Sequence, residues 1–316
     1  MSDMSYRRLG DSGLLVSVVG LGCNNFGRKL DADGTHAVVS AALDAGITLF
    51  DTADIYGTTH GASEEFLGAA LKGRRDEIVL ATKFGMDMEG LNGNDRGVRG
   101  SRSYIVRAAE ASLRRLNTDY IDLYQMHEPD PGTPIEETLS ALDDLVRSGK
   151  VRYLGNSNFS GWQIADADWT ARAGGLTSFI SAQNQYSLLD REVETEVVPA
   201  AEHFGLGLLP FFPLNSGLLS GKYSRDEKPA ANSRLSLPRY QRWLDNADWD
   251  TIDALTAFGA ERGHGLLDVA IAGLAARPAV TSVIAGATTP EQIRQNVAAG
   301  TWELTAEDVA ALEGIL

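Results

Sequence analysis

Cysteine is almost missing from this chain: Cys23 stands alone among 316 residues, so no intrachain disulfide can form. A sequence of this kind is expected in a reducing compartment, and we read it as cytoplasmic. Long apolar runs are missing as well. No stretch reaches the ~18 apolar residues of a spanning helix, and Met1 to Arg8 is polar, without the apolar core of a secretory signal. Neither export nor a membrane partner is expected. Positive charge is scarce, with 28 Lys and Arg against 43 Asp and Glu for a net charge of −15. Nucleic-acid binding depends on clustered cations that displace counterions from phosphate, so that class of partner is excluded. The sequence also has no HExxH and no Cys/His cluster, so no metal is required.

What is present suffices for a large core: 43% of the residues are hydrophobic and 22% charged. Two short apolar stretches within residues 6 to 22 flank Gly10, Asp11, Ser12 and Gly13, a turn composition that predicts a hairpin, taken here as a lid. Beyond it, β-rich runs at Thr48–Thr52, Glu77–Lys83, Tyr120–His127, Val151–Asn156, Phe179–Asn184, Gly207–Phe212 and Thr281–Ala285 alternate with amphipathic windows. One more near Val18–Gly22 makes eight. Thr133, Pro134, Ile135 and Glu136 form a capping-box pattern that predicts a helix start, with Ile135, Leu139, Leu142 and Leu145 repeating behind it and Gly149 ending it. Ile105, Ala109, Leu113 and Leu116 make a second such stripe.

Apolar strands each followed by a helix imply a parallel sheet covered on both faces, which either a closed barrel or an open doubly wound sheet satisfies. Gly20 and Gly22 lack the third glycine of the phosphate turn that marks the open fold. The expectation is therefore a single (β/α)8 TIM barrel over residues 1–316, with an N-terminal β-hairpin and extra C-terminal helices. Leu214 to Asn246 is too long for an ordinary connection and is expected to be a functional loop.

In such a barrel the reactive side chains come from the C-terminal ends of different strands. Asp51 ends one strand within FDTADIYG and Tyr56 follows five residues on; Lys83 ends IVLATKFG's strand; His127 ends the run within YIDLYQMHEPD. Singly, Asp51 is as readily a helix cap, Lys83 a rim charge and His127 a hydrogen-bonded core histidine. All four at strand ends have no simple structural explanation.

With these residues the sequence resembles the aldo-keto reductase family, and the resemblance extends through YRRLGDSGLLVSVVGLG, SEEFLGAAL, GKVRYLGNSNFS, QNQYSLL, PLNSGLLSGKY and GATTPEQIRQN. It implies an oxidoreductase reducing aldehydes or ketones to alcohols by hydride transfer from NADP, with NAD possible. Its partner is a small carbonyl compound. Tyr56 would donate the proton, Lys83 would favour the tyrosine's charged form, Asp51 would pair with Lys83, and His127 would hydrogen-bond the carbonyl oxygen. By the same resemblance Gly22, Cys23 and Asp51 border the cofactor and Ser157, Asn158 and Gln183 meet the nicotinamide carboxamide. Phe211 stacks on its ring. Leu214, Ser216, Leu218 and Lys222 fold over the pyrophosphate, where Gly217 and Gly221 allow close approach. Gln295 and Asn296 touch adenine.

The sequence departs from the family at the 2′-phosphate. Gly286 and Gln292 stand where many members carry Lys or Arg, and Thr288 where related sequences often have Arg. Thr289 to Gln292 is also a capping-box pattern, so Gln292 has a structural reading beside the functional one. The Gly-rich loop Met86 to Arg102 is expected to wall the pocket. Some proteins resembling this family are potassium-channel β subunits, which leaves a regulatory role as the second reading.

Overall fold

The hairpin forms as β1 (Tyr6–Arg8) and β2 (Leu15–Ser17), paired antiparallel from Tyr6 opposite Ser17 to Arg8 opposite Leu15. The computed structural model describes residues 4–225, 229, 234–236 and 241–316. After the hairpin, strand and helix alternate: β3 (Val19–Gly22), α1 (Ala32–Asp44), β4 (Leu49–Asp51), α2 (Ala62–Ala70), β5 (Val79–Phe84), α3 (Arg102–Leu116), β6 (Ile121–Met126), α4 (Ile135–Arg147), β7 (Val151–Ser157) and α5 (Gly161–Gly174). Then come β8 (Phe179–Gln183), α6 (Val197–Phe204), β9 (Gly207–Leu208), α7 (Gln241–Asp245), α8 (Trp249–Ala260), α9 (Leu266–Ala275), β10 (Val283–Gly286), α10 (Pro290–Gly300) and α11 (Ala306–Glu313).

Among the described residues eight parallel strands, β3 to β10, form one sheet in the order β10-β3-β4-β5-β6-β7-β8-β9. The sheet curls until its ends meet, where Leu208 bridges Val280, and the Ile284 N–H donates to Pro210 O at 3.0 Å. This is a (β/α)8 barrel. β9 is shorter than its apolar run: Pro210 has no N–H to give the ladder, although Leu209 and Phe211 still donate to Ala182 and Asn184.

The barrel has two cores. Outside the strands, helix stripes such as Ile105, Ala109, Leu113 and Leu116 are buried against the wall. Inside, a smaller cluster of Leu49, Ala81, Leu123, Leu209 and Ile284 fills the lower barrel together with Leu9 and Val16 of the hairpin. The hairpin therefore closes the end where the strands begin and is not a lid over their C-terminal ends. Gly10, at φ +56°, makes that seal possible: a Cβ there would lie 2.4 Å from Gly205 O and 2.6 Å from Ile180 O.

The start of α4 also differs from the expectation. Pro134 is its N-cap residue, without a side-chain cap bond, and the Thr133 hydroxyl is oriented back toward the loop, where it donates to Asp130 Oδ2 at 2.8 Å. The loop geometry took the side chain that the pattern assigned to the helix. At the other end Gly149, at φ +79°, follows the last turn as expected. Part of the Leu214–Asn246 segment lies outside the described residues; the remainder includes a 3-10 turn at Asn215–Ser220 and α7.

Candidate active site

Strand periodicity builds the site directly on the inner core. Side chains two apart share a face, so the inward positions that begin at Leu49, Ala81 and Leu123 continue to Asp51, Lys83 and Gln125, and Ser181 continues to Gln183. A polar layer thus lies one step above an apolar plug. Lys83, with no exposed surface, donates to Asp51 Oδ2 at 2.6 Å and to Thr52 O at 2.8 Å. Gln125 and Gln183 each donate to Asp51 Oδ1 at 3.0 Å. The room for this layer comes partly from Gly155, where a Cβ would lie 2.4 Å from Ser181 Oγ and 3.0 Å from Gln125 Cγ.

Tyr56 lies above the ion pair on the turn that follows β4. Its hydroxyl is 3.5 Å from Lys83 Nζ, and the ammonium lies 5.0 Å from the ring centroid. His127 meets that ring edge-on with centroids 5.8 Å apart, and its backbone is fixed by Asn158 Nδ2 donating to His127 O at 2.9 Å. The structure thus brings together Asp51 of β4, Lys83 of β5, His127 just after β6 and Tyr56 on the turn after β4.

The electrostatics divide the roles. Burial pushes the Tyr56 phenol upward, and Lys83, which favours the charged form, limits the rise without cancelling it. Burial also disfavours the Lys83 ammonium, but Asp51 and Tyr56 more than compensate and its pKa is raised. His127 is lowered to about 3 by burial and by the positive charge of Lys83, so its imidazole is neutral near pH 7. A neutral imidazole can donate a hydrogen bond to a carbonyl oxygen but is a far poorer proton source than a phenol. Its Nδ1 is buried without a partner among the described residues.

This shift carries a stability prediction. Between about pH 3 and 6.5 the unfolded chain binds a proton on His127 that the folded chain does not, so stability is present above that window and falls as pH falls into it. From pH 7 to 5 the wild type should lose about 2 kcal/mol more than His127→Gln in urea unfolding. Equal losses would mean that the imidazole protonates in place.

A cavity of about 770 Å³ opens over the tetrad and runs along the C-terminal ends of the strands. Gly22, Cys23, Asp51, Ser157, Asn158, Gln183, Phe211, Leu214, Ser216, Lys222, Gly286, Gln292, Gln295 and Asn296 all line it, with Tyr56 and His127; Lys83 lies beneath. Leu218 does not: it is 2% exposed and packs in the outer core. Ser216 and Gly217, at φ +59° and +107°, fold the chain tightly along the wall. Cys23 is buried with its Sγ 3.5 Å from Leu21 O, and burial pushes its thiol well up, so it is no nucleophile.

Other expectations are revised. Of the loop Met86 to Arg102 only Met86 reaches the cavity; the rest packs outside the barrel. The cavity wall instead includes Asn24, Asn25, Arg28 and Lys29 from the loop after β3. Gln183 is held by Asp51 as well as facing the cavity, and Gln125 was not anticipated, although its two-residue step before His127 marks it as inward-facing. At α10, Thr289 caps by accepting from the Gln292 N–H, while Gln292 Oε1 accepts from both the N–H and the hydroxyl of Thr288. Arg294 is engaged by Glu291. The capping box is thus only half formed: Thr289 caps, but the Gln292 side chain reaches Thr288, one residue before the cap, while also lying on the wall.

A nicotinamide dinucleotide fits this donor set. Ser157, Asn158 and Gln183, whose hydroxyl and amide groups can both donate and accept, line the cavity together with Asp51, Tyr56 and His127. In a chain of net charge −15 the same cavity carries Arg28, Lys29 and Lys222, which suits a polyanion. Among the described residues no group of His, Cys, Asp and Glu is arranged to hold a metal, and no helix is long and apolar enough to cross a membrane.

A model of the Aldo/keto reductase family matches residues 18–316. A protein of Oryza sativa subsp. japonica named probable voltage-gated potassium channel subunit beta is 38% identical, covering 94% of this chain and 91% of its own length. Uncharacterized oxidoreductase YrpG of Bacillus subtilis (strain 168) is 37% identical, covering 99% and 96%. Versiconal hemiacetal acetate reductase of Aspergillus parasiticus is 35% identical, covering 98% and 96%.

Proposed function

The chain belongs to the aldo/keto reductase family, and from that premise we propose that it reduces aldehydes or ketones to alcohols with NADPH, using Tyr56 as the proton donor. The observation that carries the reading is the buried Asp51–Lys83 pair at 2.6 Å, set beneath Tyr56 at the floor of the cavity with neutral His127 beside it.

Ser157, Asn158 and Gln183 would hold the carboxamide, Phe211 would lie against the ring, and Leu214, Ser216 and Lys222 would flank the phosphates. Bound there, the reduced nicotinamide supplies a hydride to the carbonyl carbon. Tyr56 gives its proton to the carbonyl oxygen as negative charge gathers there, and is reprotonated from solvent. His127 orients that oxygen with its single N–H, and Lys83 limits the cost of the tyrosinate left behind. Asp51 and its two glutamines hold the ammonium in place. A cytoplasmic setting is part of the same proposal, and residues 1–316 are proposed as one domain, in keeping with the family match over residues 18–316.

Cofactor choice follows from the far end of the cavity. The 2′-phosphate of NADPH usually meets Lys or Arg; here the donors of Thr288 are taken by Gln292, and among the described residues Arg28, Lys29 and Lys222 are the cations on the cavity wall that would act at longer range. We expect NADPH to be preferred over NADH about tenfold in kcat/KM, equivalent to about 1.4 kcal/mol, with the preference shrinking as salt is raised. Following NADPH and NADH oxidation with a panel of aldehydes and ketones at two ionic strengths tests both parts. No carbonyl-dependent oxidation would defeat the enzyme reading and favour a channel-associated role such as the rice relative's name describes. An NADH preference would defeat only the cofactor assignment.

A further inference from the structure

Behind the tyrosine turn, on the outer side of the barrel wall, lies a buried chain of polar side chains that the reaction does not use. Thr82, next to Lys83 on β5, donates to Glu64 Oε1 of α2 at 2.5 Å. Glu64 Oε2 accepts from Arg115 Nε of α3 at 2.6 Å, and Arg115 reaches Asn92 Oδ1 at 3.3 Å. Asn92, from the loop between β5 and α3, donates to Asp54 Oδ2 at 3.0 Å. Asp54 stands two residues before Tyr56, and its N–H donates to Lys83 O at 3.2 Å. The path leaves the barrel beside the lysine and returns to the turn that carries the phenol.

We propose that this circuit positions the Tyr56 hydroxyl against Lys83, and that Asn92, in a loop that reaches the cavity only at Met86, is the positioning residue that closes it. The inference rests on the reading of Tyr56 as the proton donor. The geometry explains why such a brace is needed. The Lys83–Tyr56 contact is 3.5 Å, at the outer limit of a hydrogen bond, so a displacement of the turn by a few tenths of an ångström breaks it. Asp54, Glu64 and Asn92 are at most 4% exposed, so each lost partner leaves a buried polar group unsatisfied and the arrangement resists drift. Burial and the nearby Glu64 also push the Asp54 carboxyl well above its usual range, since the Arg115 guanidinium pairs directly with Glu64 and meets Asp54 only through Asn92.

The experiment compares Asn92→Ala, Asp54→Ala, Asp54→Asn and Thr82→Val with wild type and with Tyr56→Phe. Asn92→Ala and Asp54→Ala should each lower kcat about tenfold, short of the ~10²-fold that a full 1 Å misplacement can cause. KM for the carbonyl compound and the NADPH dissociation constant from fluorescence titration should stay within about twofold, since the cavity wall is untouched. The basic limb of the kcat–pH profile should move upward as the phenol leaves the ammonium. Asp54→Asn, which still offers an oxygen to Asn92, should recover most of the rate lost in Asp54→Ala. Thr82→Val keeps the strand's shape and decides the matter if the alanine variants do not fold; it should show the same fall in kcat and the same upward move of the limb. Lower melting temperatures with unchanged kcat and pH profile would overturn the proposal and leave the circuit a purely architectural brace. If Tyr56→Phe itself remains active, the proton-donor reading fails first; if it is inactive while the circuit variants behave as wild type, only the circuit proposal fails.

Discussion

Tyr56→Phe is expected to lower kcat for carbonyl reduction by about 10²- to 10⁴-fold while leaving NADPH affinity within about twofold of wild type. The substitution removes one hydroxyl and keeps the ring that meets His127 edge-on, so the shape of the site is preserved. What is lost is the proton. His127 cannot replace it, because an imidazole whose pKa has fallen to about 3 carries no spare proton near neutrality. Lys83 cannot reach a substrate directly, since it is wholly buried beneath the tyrosine and spent on Asp51 and Thr52. A steady-state assay on one aldehyde with a parallel binding titration decides the point: more than about a tenth of wild-type kcat would show that the proton comes from elsewhere.

The tetrad was legible in the sequence because barrel geometry sends reactive residues to strand ends, and Asp51, Lys83 and His127 each close an apolar run that periodicity alone identifies. The same period-two logic reaches Gln125, which went unnoticed because a glutamine inside an apolar strand carries no motif; its meaning appears only once Asp51 is seen to accept from it. Positions whose role depends on loop packing were not legible. Thr133 has the sequence signature of a cap, but the N-cap falls one residue later, at Pro134, and the Thr133 hydroxyl donates to Asp130 instead. Leu218 sits among residues that do line the cavity, yet a 3-10 turn points it into the core. Loop composition misled in both directions: the Gly-rich segment after β5 turned outward except at Met86, whereas Arg28 and Lys29 reached the mouth from a loop with no marked pattern.

Lys83→Met should lower kcat by about 10²- to 10³-fold and should also destabilise the fold, and the two effects have different origins. The activity falls because no positive charge is left to stabilise the tyrosinate. Burial already pushes the Tyr56 phenol upward, and without the ammonium nothing opposes it, so the basic limb of the pH–rate profile moves to higher pH as the rate drops. The stability falls because Asp51, at 3% exposure, keeps the two glutamines on Oδ1 but loses the cation on Oδ2. Removing one member of a buried ion pair costs about 3 to 5 kcal/mol, most of it the penalty of stranding the other charge. Adding Asp51→Asn to Lys83→Met removes the stranded charge while keeping a group of nearly the same shape, so it should restore much of the stability. It should restore none of the activity, since tyrosinate is still unsupported. Urea unfolding and a pH–rate profile on the single and double variants separate the two roles. Recovery of both stability and turnover in the double variant, or an unmoved basic limb in Lys83→Met, would make Lys83 a structural counter-ion to Asp51 and leave the tyrosine's ionisation to be governed by other groups in the cavity.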